Sequence, residues 1–217
     1  MPYLGTSPSA AAAGTLAALA TVGDGTAEDT RLVFDGNALD FRMGIDDGTD
    51  TLEIGKGNAH GTTAHMIFDT NGIIRAPLQP LFRAQITGGD QTNVNGLTTI
   101  TFNSEDMDVN ADFNTGTYTF TAPVTGMYLF SQVIKWKSLD TAAAYYESQF
   151  TTSNGNLYMG MIDPNFSADL DFYQMNGTII ETMDASDTCL VQITASGGTA
   201  QADIDSGESF FSGFLVG

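Results

Sequence analysis

Positive charge is scarce in this chain of 217 residues: seven Lys and Arg stand against twenty-six Asp and Glu, a formal charge of −19. Affinity for nucleic acid comes largely from cations that release phosphate counterions. The balance therefore excludes a nucleic-acid binder and sets the chain against anionic lipid headgroups. Cysteine is nearly absent; Cys189 stands alone, which excludes an intrachain disulfide framework. No apolar run approaches the roughly 20 residues that cross a bilayer, so no membrane insertion is expected. Met1 to Ser9 holds no Lys or Arg, and the Ala-rich stretch from Ala10 to Val22 thus lacks the basic flank of a signal peptide. It reads as a flexible or weakly helical arm. Motifs of nucleophile and metal hydrolases are missing too: no G-x-S-x-G, H-E-x-x-H, Walker loop or C-x-x-C occurs.

What fills the space is Gly, Thr, Ser, Asn and Ala. Charged residues make up 15% of the chain, against about 25% in ordinary globular proteins. Such a mixture favours strands and turns over long helices.

Three zones follow from the texture. Residues 1–29 are low in complexity and have no large apolar face, so they require a partner to become ordered. Residues 30–80 carry short alternating runs. Phe41, Met43 and Ile45 alternate with Arg42 and Gly44, Leu52 and Ile54 flank Glu53, and Asp47-Gly48 and Asn71-Gly72 supply turns. Leu32-Val-Phe-Asp-Gly-Asn is echoed at Met66-Ile-Phe-Asp-Thr-Asn. So few large side chains make a poor independent core, and self-association would complete it.

Residues 81–217 are richer in apolar residues. The run Met127 to Trp136 places Tyr128, Phe130, Ile134 and Trp136 on one face and Met127, Leu129 and Val133 on the other. Burial on both sides is expected. Later runs recur at spacings suited to an all-β sandwich.

Within this zone, Phe113-Asn-Thr-Gly116-Thr-Tyr118-Thr-Phe120-Thr-Ala122-Pro123-Val-Thr-Gly126-Met-Tyr128-Leu-Phe130 resembles the central signature of the complement component 1q globular head, a relative of tumour necrosis factor. The closing Ser209-Phe-Phe-Ser212-Gly213-Phe214-Leu215-Val resembles that family's terminal strand. The resemblance covers residues 81–217 and implies a jelly-roll head that assembles as a homotrimer. It makes Gly116, Tyr118, Phe120, Pro123, Gly126, Tyr128, Phe130, Gly213 and Phe214 the core signature. Two departures are visible: no Gly-X-Y stalk precedes the head, and Ser186-Asp187-Thr188-Cys189 replaces the family's G-D-x-V.

The opening residues, with Pro2, Tyr3, Leu4 and Gly5, resemble the segment by which phage fibres attach to a virion, and Asp40 to Gly55 resembles phage fibre shafts. Arm, shaft and head together imply a non-enzymatic virion protein, localised to the phage particle surface. It would dock on tail or capsid proteins and present the head to a host cell-surface glycan or protein. A secreted or surface bacterial adhesin and a polysaccharide-degrading tailspike are the alternatives.

Polar clusters add one candidate ligand. Calcium takes six to eight oxygens, members of the resembled family often hold it, and Glu105, Asp106, Asp108 and Asp112, with Asp203, Asp205 and Glu208, are the acidic groupings proposed to offer them. Solvated turns are the competing reading. His60 and His65 read as exposed loop residues, Cys189 as a buried free thiol, and Trp136 as a core or subunit-contact residue. One of the Tyr145-Tyr146 pair is expected to be exposed.

Overall fold

Alternating side chains and turn dipeptides produce strands throughout. The computed structural model describes residues 21–61, 63–197 and 202–217, and among these there is no helix. The anchoring residues Pro2, Tyr3, Leu4 and Gly5 lie outside the described residues. Two compact units divide the chain, Met1–Pro77 and Leu78–Gly217. The division falls three residues before the boundary expected at 80/81. Hydrogen bonds explain the difference: the Asn110 amide donates to the Leu78 carbonyl at 3.0 Å, the Gln79 amide to the Leu215 carbonyl at 3.1 Å, and the Leu215 N–H to the Pro80 carbonyl at 3.1 Å.

In the first unit β1 (Thr30–Phe34), β2 (Phe41–Asp46), β3 (Thr51–Lys56), β4 (Ala64–Phe68) and β5 (Ile74–Arg75) form one antiparallel meander in chain order. Turn chemistry closes it. Asp69 Oδ1 accepts the backbone N–H groups of Asn71 and Ile73, both at 2.9 Å, and Gly72 takes φ +80° in the same turn. Register sorts the side chains into two faces. Leu32, Met43, Ile54 and Met66 form one cross-strand row, and Ile45, Leu52, Phe68 and Ile74 the next, on the same face. Arg42, Gly55 and Ala64 share the opposite face, as do Gly44 and Glu53.

The second unit contains β6 (Leu81–Gln85), β7 (Gln91–Val94), β8 (Gly96–Thr99), β9 (Ser104–Val109), β10 (Phe113–Asn114), β11 (Thr119–Thr121) and β12 (Gly126–Leu139). It continues with β13 (Tyr145–Thr152), β14 (Gly155–Ile162), β15 (Leu170–Met183), β16 (Thr188–Ser196), β17 (Ala202–Ile204) and β18 (Phe210–Leu215). One sheet runs β10-β11-β16-β13-β14, with β8 also on β16. The other runs β7-β17-β12-β18-β6-β9, with β15 on the free edge of β12. Non-consecutive neighbours in both sheets mark a jelly-roll sandwich.

Its core is aromatic. Phe82 stacks on Phe113 and Phe120 at 5.1 and 4.9 Å and meets Phe211 edge-on at 4.8 Å. Gly213 makes that approach feasible, because a Cβ there would lie 2.5 Å from Phe130 Cδ1 and 2.8 Å from Phe82 Cε1. Trp136 is fully buried and meets Tyr146 at 5.3 Å, which makes it a core residue. Cys189 is buried as expected, and desolvation pushes its thiol well up, with the Glu181 charge adding to the effect.

Candidate functional site: the outer face of the long-strand sheet

β12 and β15 pair over nearly their full length, and β12 buries one face only. Tyr128, Phe130, Gln132, Ile134 and Trp136 are buried in the sandwich, while the intervening residues are half-buried and Met127 is 47% exposed. Burial of both faces, expected from the apolar content of this strand, is not seen: among the described residues of this unit no element covers the outer side.

Across that outer face the register aligns Val109, Leu81, Phe214, Leu129 and Ile180 in one row spanning β9, β6, β18, β12 and β15. Phe214 is 41% and Ile180 62% exposed. The next row is small and hydroxylic on β18, β12 and β15, where Ser212, Ser131 and Thr178 lie side by side and the Thr178 hydroxyl donates to Ser131 Oγ at 3.2 Å; it continues through Arg83 and Met107 on β6 and β9. Further along the strands the face becomes charged. Lys135 donates to Glu208 at 2.8 Å and approaches Asp205 at 3.7 Å, while Lys137 contacts Asp90 at 2.6 Å and Asp205 at 3.6 Å. Lys135 also sits 4.7 Å above the exposed Phe172 ring. The Glu208 hydrogen bond raises the Lys135 ammonium, and the Asp90 hydrogen bond does the same for Lys137.

The residues of the central signature separate by role. Phe120, Tyr128 and Phe130 are in the core, and the Tyr128 hydroxyl donates to the Val124 carbonyl at 2.8 Å. Gly126 opens β12, where a Cβ would lie 2.6 Å from Leu215 Cδ1. Gly116 lies in the turn between β10 and β11, its N–H given to Asn114 Oδ1 at 2.8 Å, and Pro123 is exposed in the turn before β12. Two of the aromatic residues lie outside the core: Tyr118 is half-buried with φ +60° because it sits in the turn that joins β10 to β11, and Phe214 faces outward because its neighbour Gly213 takes the inward position.

The acidic residues proposed for calcium do not converge. Among the described residues, no three acidic, His or Cys side chains gather into a group suited to a metal. Instead they take other partners. Asp106 accepts from Arg83 and from Gln85; Asp108 accepts the N–H groups of Asp112 and Phe113 at 3.1 and 2.9 Å; Asp203 accepts the Asn93 N–H at 2.8 Å. Asp205 and Glu208 hold the two lysines, and Glu105 is exposed on β9. Burial raises the Asp112 carboxyl, and the Asp108 charge adds to the rise.

One polar cluster went unforeseen in the sequence, where Arg42 and Glu53 read only as the polar positions of alternating runs. Arg42 is fully buried, its Nη2 donating to Glu53 Oε2 at 3.0 Å and its Nε to His60 Nδ1 at 3.3 Å. His60 is a correction to the expected exposed histidine: its side chain is 1% exposed, because its Nδ1 and the Gly61 N–H turn onto Glu53 Oε2 on the polar face. Burial works to raise the Glu53 carboxyl, but the Gly61 N–H, Arg42 and His60 outweigh it and hold the group below its ordinary value. His65 is exposed on β4, 5.8 Å from the Phe41 ring. Tyr146 is buried and Tyr145 half-buried.

Two sheets packed around an aromatic core, with a C-terminal strand in the middle of one of them, define a jelly-roll head. The C1q domain family matches residues 82–216, and the chain belongs to it. Among solved structures, the globular domain of zebrafish complement 1qA is similar at 19% identity, over 64% of this chain and 98% of that one, with a TM-score of 0.46. Murine APRIL at pH 8.0 is similar at 7% identity, over 64% and 99%, also with a TM-score of 0.46. No curated protein matches the chain.

Proposed function

We propose that this is a non-enzymatic virion protein: a homotrimeric phage fibre, tail or capsid, that docks on the particle through its N-terminal arm and presents the C1q-type head for host attachment or decoration. The observation that supports the trimer is the row from Leu81 through Phe214 to Ile180, large apolar side chains that their own unit leaves open. Apolar patches of this kind serve association. The charged end of the same face keeps its cations paired internally, so the apolar end supplies the contact and the charged end sets orientation.

The fibre role is supported by the sequence of the arm, with Pro2, Tyr3, Leu4 and Gly5, and by the strand-rich middle. Weak contacts of the heads with a cell-surface glycan or protein would gain strength through avidity over three chains and many fibres. Removal of residues 1–29 is the test of the anchor. The shortened protein is expected to remain trimeric and to be lost from purified particles; its retention on particles refutes virion docking through the arm.

A further inference from the structure

In the first unit the burial of the sheet is inverted. The face that carries Arg42 and Glu53 is the covered one, closed by the residues that bring His60 and Gly61 onto the Glu53 carboxylate. The apolar face lies open: Leu32 is 49%, Phe34 57%, Met43 41%, Ile45 41% and Ile74 61% exposed. With the exposed Phe41 and Met66 they make one contiguous apolar patch, the kind of surface that marks an association site.

We infer that this face packs against the same face of two further copies, so that three five-stranded sheets enclose a common apolar core and turn their Arg42–Glu53–His60 clusters outward. The inference rests on the trimeric reading of the head. What selects a second copy over any other occupant is the covalent tether: only Ala76 and Pro77 separate β5 from the start of the head unit. A trimeric head therefore holds three such faces at an effective concentration of order millimolar. Charge agrees with it. The first eighty residues carry four bases and ten acids, a net −6, so copies repel wherever charged faces meet. The rows through Met43 and Ile45 carry no charge, and the row of Phe34 and Phe41 ends on a single base, Lys56. Stacking three sheets on that side buries apolar surface without bringing the acids together.

Cysteine cross-linking in the full-length protein tests the arrangement, because the native Cys189 is buried and is expected to stay unreactive in the folded state. Met43→Cys and, independently, Met66→Cys place a thiol on the apolar face; Val33→Cys, 36% exposed, places one on the opposite face. With a short bismaleimide, Met43→Cys and Met66→Cys are expected to yield covalent dimers at least tenfold faster than Val33→Cys, while all three sediment as trimers. A trimer in which Val33→Cys links as fast or faster overturns the packing and leaves the trimeric head standing. Monomers at sedimentation equilibrium overturn both.

Discussion

Arg42 and Glu53 meet at 3.0 Å with side chains 0% and 4% exposed, a buried ion pair in a sheet whose apolar side chains are left open. A pair like this is costly to break, because removal of one partner strands the other in a desolvated site. Glu53→Ala is expected to destabilise the first unit by about 3–5 kcal/mol. Calorimetry of the full chain should show its first transition lowered and the head transition unmoved, and amide exchange should quicken across β2 and β3.

The same carboxylate gives the first unit an acid limit. Glu53 is held below 4.5, its ordinary value, by the Gly61 N–H, Arg42 and His60, against the opposing effect of burial. Its contribution is therefore fully present above about pH 4.5 and is lost as pH falls through the lower folded value. Melting of the first unit followed from pH 6 to pH 3 should show this loss. In Glu53→Gln the stability is lower at pH 6 and the Glu53 part of the slope disappears.

Gly213 is the tightest point of the head. A Cβ there would overlap Phe130 and Phe82, both fully buried, so Gly213→Ala should cost the head about 1–3 kcal/mol through forced side-chain shifts. A lowered melting temperature with unchanged trimer mass is the expected outcome.

Cations of the head are committed to its own acids. Arg83 binds Asp106, Lys135 binds Glu208 and Asp205, and Lys137 binds Asp90 and Asp205. Three bases against sixteen acids in residues 81–217 leave −13 per chain, repulsion that mobile ions screen over about 10 Å at 0.1 M. The melting temperature should rise with NaCl and rise equally with CaCl₂ at matched ionic strength. A rise specific to calcium, reversed by chelator, would show that acids from neighbouring chains form the site that one chain does not.

Much of the head was legible because its signals are local. Alternation from Tyr128 to Trp136, the Pro123 and Gly126 turn, and the closing strand each read directly from residue order. Phe214 misled for a simple reason: alternation tells which residues share a face, not which face is inside. Tyr118 misled because the turn into β11 takes it out of the alternation. The first unit shows the same limit. Phe41, Met43 and Ile45 alternate with Arg42 and Gly44 as in a half-buried strand, yet the covered side is the polar one. That choice depends on where His60 and Gly61 turn, a contact with Arg42 and Glu53 that residue alternation does not encode. The acidic groupings that read as clusters are spread over other partners within one chain, because neighbours in sequence find Arg83, Lys135, Lys137 and backbone N–H groups in space.

Sedimentation equilibrium of the full-length protein, beside a Phe214→Asp/Ile180→Asp variant, bears most directly on the claim that the open sheet face joins three chains. The wild type should sediment at three times 23.0 kDa, and the variant, with two charges placed in the apolar row, should fall to a folded monomer. A wild type that remains at 23.0 kDa at micromolar concentration, or a variant that stays trimeric, contradicts it.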